Sequence, residues 1–208
     1  MKRITRTFAM PALLAASLTL AACGDGGSTA GHDMSNMSPM ASSAAPSSTS
    51  SAAPAAGAHN AADVAFASGM IPHHAQAVTM ADMALKQASG QQVKDLATQI
   101  KDPQDPEILT MSGWLQGWGE PVPDTAGMQH GGEGMMSMGE MSQLENATGA
   151  GFDRMWLQMM IKHHEGAIAM AQTELKTGSN ADAKQLAQTI VDGQAKEIET
   201  MKSLLAGG

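Results

Sequence analysis

Over 208 residues the chain sets 20 acidic against 12 basic side chains, a formal net charge of −8, which argues against nucleic acid as a partner and against a polybasic membrane patch. With no Tyr and only three Phe and three Trp, a strand-rich core lacks its usual residues, and a single Cys excludes an internal disulfide or a multi-thiolate metal site. What is abundant is helix-favouring Ala, Leu, Gln and Lys, together with nineteen Met.

Residues 1–22 read as an export signal. Lys2, Arg3 and Arg6 precede an apolar run from Phe8 to Ala22 that is too short and too Ala-rich for a good membrane span. The run ends Leu20-Ala21-Ala22-Cys23, which resembles the lipobox of bacterial lipoproteins. That resemblance implies lipidation at Cys23, a membrane partner through the lipid anchor, and an extracytoplasmic or periplasmic location. Residues 23–61 are rich in Ser, Ala, Pro and Gly and bury too little to offset their ordering entropy, so a flexible tether is expected. Within it lie His32, Met34, Met37 and Met40. Met in a tether has no packing role; thioether and imidazole suit Cu(I), Ag(I) and Cu(II), which makes this cluster a candidate for auxiliary metal capture.

From Asp63 the pattern becomes helical. Phe66, Met70, His73, Ala77 and Met80 recur at spacings of three and four, the stripe of an amphipathic helix over about 62–88. A second helix carries Val93, Leu96, Ile100, Ile108, Met111 and Leu115 to about 118, with a kink or break expected at Pro103 and Pro106. Residues 119–146 are Gly- and Pro-rich and are expected to form a long loop. They hold a second Met/His cluster: Met128, His130, Met135, Met136, Met138 and Met141. Helices are expected again over about 148–177 and from Ala183 to the end.

The chain repeats itself at an offset of ninety residues. Met70, Ile71, His73, His74, Ala77, Met80 and Ala81 recur as Met160, Ile161, His163, His164, Ala167, Met170 and Ala171. The match extends to Asp63/Asp153, Gln104/Gln194, Glu107/Glu197, Ile108/Ile198 and Met111/Met201. This is a duplicated helical hairpin (62–118 and 147–206). Neither copy can bury its apolar stripe alone, so an all-α, four-helix bundle is expected over 62–206.

Both His pairs fall near mid-helix. Met70, His73 and His74 share one face, as do Met160, His163 and His164, with Met80 and Met170 one heptad further on. Imidazole with thioether prefers Cu(I), with Cu(II) also accommodated. Glu107 and Glu197, and also Asp63 and Asp153, are candidates to accept a hydrogen bond from a ligating His. Protonated imidazole cannot ligate, so His-dependent binding is expected to weaken as pH falls through about 6.5. Two other interpretations compete. The histidines can be a buried polar network that fixes helix register in a surface interaction module. Alternatively, a di-metal oxidase or peroxidase can occupy the same scaffold, although Met70 and Met160 stand where di-iron proteins carry the Glu of Glu-x-x-His. No Ser/His/Asp order, phosphate loop or thiol nucleophile supports other catalysis, so a non-enzymatic role is expected.

The segments Phe66-x3-Met70-Ile71-x-His73-His74-x2-Ala77-x2-Met80-Ala81 and Gln104-x2-Glu107-Ile108-x2-Met111-x2-Trp114-Leu115 resemble the bacterial domain of unknown function 305 family. The resemblance covers about 62–206 and implies a ferritin-like four-helix bundle. The family includes a periplasmic copper-resistance protein that binds copper through Met and His. Carried onto this sequence, that implies Met70, His73, His74, Met80, Met160, His163, His164 and Met170 as ligands. Departures are Pro103 and Pro106 ahead of Glu107, and Leu204 where the first repeat has Trp114. The expected function is extracytoplasmic copper binding, for sequestration or transfer, with metal ions as partners and the protein partner unknown.

Overall fold

A computed structural model describes residues 57–125 and 132–207. The candidate lipidation site Cys23, the tether residues His32, Met34, Met37 and Met40, and Met128 and His130 lie outside the described residues.

The described residues form five helices and no strand: α1 (Ala61–Gln87), α2 (Gln91–Trp118), α3 (Met138–Asn146), α4 (Gly149–Thr177) and α5 (Ala181–Gly207). None is long and apolar enough to cross a membrane. α1 opens with a capping box: Asn60 Oδ1 accepts from the N–H of Ala62 and Asp63 at 2.8 and 3.2 Å, and Asp63 Oδ2 accepts from the N–H of Asn60 at 2.6 Å. This satisfies donors that the first helical turn leaves without partners.

α2 corrects one expectation. The break expected at Pro103 and Pro106 does not occur, and the helix runs unbroken through both. The two prolines and the residues four before them, Gln99 and Asp102, all face solvent. Water therefore satisfies the carbonyls that lose their partners.

α1 packs chiefly on α2, α4 on α5, and the two hairpins meet through α1 and α4, whereas α2 and α5 touch only sparsely. His73 stacks on His163, the Trp156 indole N–H donates to the Met80 carbonyl at 2.8 Å, and Ser179 N–H donates to Asp63. Partner numbers fall on one helix as they rise on the other, so α1 and α4 are antiparallel and a two-fold relates the repeats. Trp118 at the end of α2 stacks on His59 beside the start of α1. The chain must therefore travel the length of the helices before α4 can begin at the other end. Residues 119–148 make that crossover.

The crossover gives a second correction. It was expected to be loop throughout, yet it contains α3. Ser137 Oγ accepts from Glu140 N–H, and Glu140 Oε2 accepts from both Ser137 N–H and Oγ–H, a complete capping box. Leu144 and Met136 are buried in the core beside Phe152, Trp156 and Met160. Met136 is thus core, which removes it from the set free to capture metal. Met138 stays largely exposed.

Candidate metal centre

The apolar core comes in two clusters. One gathers Met80, Leu96, Ile100, Trp156 and Met160; the other gathers Phe66, Met70, Met111, Leu115 and Ala167. The four histidines lie between them, all buried. Consecutive residues on a helix point about 100° apart, so each pair divides its work. His73 and His163 turn toward each other, with ring centroids 3.7 Å apart and planes at 41°. His74 and His164 turn toward the outer helices, where each places Nε2 at 2.7 Å from a carboxylate oxygen, Glu107 Oε2 and Glu197 Oε2 respectively. Glu107 and Glu197 thus each contact a histidine, and Pro106 does not keep Glu107 from His74.

These hydrogen bonds fix the chemistry of the rings. A carboxylate can only accept, so the Nε2–H of His74 and His164 donates, and in the neutral ring each Nδ1 keeps its lone pair. His73 Nε2 lies 3.2 Å from the Glu133 carbonyl, which again makes Nε2 the donor. The Nδ1 atoms of all four histidines, and Nε2 of His163 as well, are buried with no hydrogen-bond partner. A buried polar atom left alone costs about 1–3 kcal/mol, and here five share one layer.

Burial, reinforced by the neighbouring His74, pushes the pKa of His73 down to about 3. Burial and the facing His73 hold His163 well below the ordinary imidazole value. Both rings therefore stay neutral, the form that binds metal. The threshold near pH 6.5 expected from an ordinary histidine moves down accordingly at these two positions.

Among the described residues no three His, Cys, Asp or Glu side chains gather as a metal-holding group. A full coordination sphere in this layer needs donors of another kind. Met70 and Met160, both fully buried, lie three residues before His73 and His163, about one turn away. Met80 and Met170 lie seven residues on, about 10 Å of helix rise from the His73–His163 layer. Met80 belongs to one apolar cluster and Met170 packs against the other, so packing accounts for them.

Asp63 and Asp153 were expected beside the histidines. They lie instead at opposite ends of the molecule and clamp loops. Asp63 accepts from the N–H groups of Ser179 and Asn180 at 2.9–3.0 Å; Asp153 accepts from those of Ser89 and Gly90 at 2.8–2.9 Å. Ten residues separate each from its His pair, about 15 Å of helix.

The crossover covers the outer face of α1 and α4 over the histidines, as a strap that sequence reasoning missed. Gln76 holds it with two buried hydrogen bonds, accepting from Met136 N–H at 2.7 Å and donating to the Met136 carbonyl at 2.9 Å. Gly134, at φ +79°, lies against the backbone of Lys162 and Gly166, and a Cβ on Gly166 would collide with Glu133. Its sequence signal is the failure of the repeat at Gln76/Gly166, between the matched His74/His164 and Ala77/Ala167.

An all-α scaffold whose core carries the facing His73 and His163, the carboxylate-bonded His74 and His164 and nearby thioethers defines the class: all-α proteins with buried imidazole and thioether groups, the donor types that soft or borderline metals take. The chain matches the family described as Domain of unknown function (DUF305) over residues 63–205, and it belongs to that family. Three solved structures are similar to it. A DUF305 protein of Streptomyces coelicolor is 33% identical, with a TM-score of 0.65 over 70% of this chain and 93% of that one. A DUF305 fragment from Deinococcus radiodurans is 29% identical, with a TM-score of 0.66 over 73% of this chain and 100% of that one. CopM in a Cu(II)-bound form is 36% identical, with a TM-score of 0.62 over 70% of this chain and 96% of that one. CopM has also been solved with Cu(I) and with Ag bound. No curated protein matches the chain.

Proposed function

We propose that this protein binds copper outside the cytoplasm and sequesters it or passes it on, without catalysing a reaction. The observation that carries the proposal is the layer of five buried, unpartnered imidazole nitrogens. A neutral His163 carries a proton on one of its two nitrogens, so four of the five can offer a lone pair; a metal ion accepts such lone pairs and would offset a cost otherwise left uncompensated. The proposed donors are His73, His74, His163 and His164, with Met70 and Met160 supplying thioether; since no three of the histidines gather at one point, any one ion takes at most two of these rings in this arrangement. That donor set suits Cu(I) and admits Cu(II). Glu107 and Glu197 orient His74 and His164 and raise their basicity. The similarity to CopM, solved with both copper ions and with silver, supports the same choice of metal.

In this proposal the four long helices form a ferritin-like four-helix bundle, a reading supported by antiparallel α1 and α4 and by the long crossover. The signal-like run and Cys23 supply export and a lipid anchor. The Met/His tether, with Met128, His130 and the exposed Met138 of the crossover, captures loose ions, whereas Met135 is half-buried and Met141 packs against the core. The secreted description of the Streptomyces coelicolor relative favours an extracytoplasmic location.

The test is a copper titration of the full chain under a competing chelator, with Zn(II) and Fe(II) in parallel, against a variant carrying Gln at all four His positions and one lacking the tether and crossover methionines. Tight binding that survives loss of those methionines and disappears with the histidines supports the proposal. Affinity unchanged without the four histidines would sink it and leave the rings as structural groups.

A further inference from the structure

On the side of the histidine layer away from the strap, the seam between α2 and α5 holds a cavity of about 90 Å3. Six of its eight lining residues are equivalents in the repeat, Gln104 and Gln194, Glu107 and Glu197, Pro103 and Gly193, and Thr189 and Ile190 complete it. No lysine or arginine lines it, so two carboxylates share a small space without a cation.

The oxygens there are under-used. Glu107 and Glu197 each spend Oε2 on a histidine N–H, which leaves the second oxygen of each. Gln104 and Gln194 are only 3% and 6% exposed, and the Oε1 of each is buried without a hydrogen-bond partner. An orphaned amide oxygen costs about 1–3 kcal/mol, and an apolar side chain of similar size would avoid it. Here it occurs twice, at equivalent positions, on the wall of one cavity. A water takes about 30 Å3 of liquid volume, so the space suits an ion with one or two waters.

We propose that this seam is a second cation site, in which oxygens of Gln104, Gln194, Glu107 and Glu197 hold a hard or borderline divalent cation. Its all-oxygen lining separates it from the imidazole–thioether centre, since carboxylate and amide oxygens favour Mn(II), Mg(II) or Ca(II) over Cu(I). The proposal does not depend on copper binding to the histidines.

Mn(II) is the probe, because thioethers ignore it and the free aqueous ion is counted directly by electron paramagnetic resonance. The full chain is expected to bind one Mn(II). The double variant Gln104→Leu/Gln194→Leu is expected to lower that affinity by about tenfold or more. Gln104→Glu/Gln194→Glu is expected to raise it. Copper affinity, measured on the same samples, reports on the imidazole–thioether centre separately. The absence of stoichiometric Mn(II), or equal Mn(II) affinity in the Leu variant, overturns the proposal and leaves a cavity that holds water only. If circular dichroism shows the Leu variant unfolded, the Glu variant decides, and unchanged affinity there overturns it as well.

Discussion

At position 76 the first hairpin carries Gln, and at the equivalent position 166 the second carries Gly, although the histidines just before them are identical in both copies. The identical residues are those that meet about the two-fold: His73 with His163, and the matched pairs His74–Glu107 and His164–Glu197. The unequal residues lie where the crossover passes once, over one face only. Gln76 grips its backbone, and Gly166 makes room for it. A duplicated hairpin thus keeps its sequence where the copies serve each other and loses it where one unrepeated segment must dock.

The largest effect is expected from the symmetric layer. Replacing His73, His74, His163 and His164 together by Gln should weaken copper binding by more than about a hundredfold, read in a chelator competition, with the helical circular dichroism retained. The carboxylates sharpen the comparison. Glu107→Gln and Glu197→Gln should each cost about 10–100-fold in copper affinity, and by nearly equal amounts, because their contacts are the same length. A tenfold inequality between the two would show that the halves are not equivalent at the site.

The asymmetric position should act on stability first. Gly166→Ala places a methyl group against the Glu133 backbone, which cannot rotate away as a side chain does, and about 1–3 kcal/mol of destabilisation is expected in urea unfolding. Gln76→Leu leaves the buried N–H and carbonyl of Met136 without partners, at a similar cost of about 1–3 kcal/mol. Unchanged stability in both variants would mean that the strap does not rest on this pair.

What the sequence disclosed follows the same division. The His pairs, Glu107 and Glu197 were legible because side chains at helical spacing carry chemistry that their residue types announce. The strap was not, because its contacts use backbone atoms of Glu133, Gly134 and Met136, and a peptide group has no sequence signature. α3 was legible in principle: Ser137 and Glu140 stand at capping-box spacing, but the Gly and Met around them resembled loop composition. The expected break in α2 did not occur: the carbonyls freed at Gln99 and Asp102 face solvent, where water bonds them, and the residual cost of the two prolines does not interrupt the helix. Asp63 and Asp153 were drawn toward the histidines by their place in the repeat, yet helix rise carries them to the ends.

The ends themselves differ, and the smallest predicted effect lies there. Asp63 is matched by Asp153, but Glu174, which approaches Asp63, is matched in the first hairpin by Ala84. Glu174 is buried against Gly178, where a Cβ would collide with its carboxylate. Burial and the neighbouring Asp63 carboxylate raise the pKa of Glu174 from 4.5 to about 7. Asp63 runs the other way: hydrogen bonds from Glu174 and from the Asn180, Asn60 and Ser179 backbones outweigh its desolvation and bring it down to about 2. Both Glu174 oxygens are buried without another hydrogen-bond partner, and two carboxylates bond only through a shared proton, so Glu174 can donate to Asp63 only when protonated. The contribution of Glu174 to stability is then complete below pH 4.5 and is lost as pH rises through 7, whereas that of Asp63 is complete above 3.8 and is lost as pH falls through 2. His73 and His163, held below the ordinary imidazole value, add stability as pH rises toward 6.5 and do so equally in a Glu174 variant. The Glu174 contribution is therefore read as a difference: the melting temperature of the wild type minus that of Glu174→Gln, whose amide donates at every pH, should fall between pH 4.5 and about 7. A difference that stays constant with pH would place the titrating group elsewhere and remove this difference between the two ends.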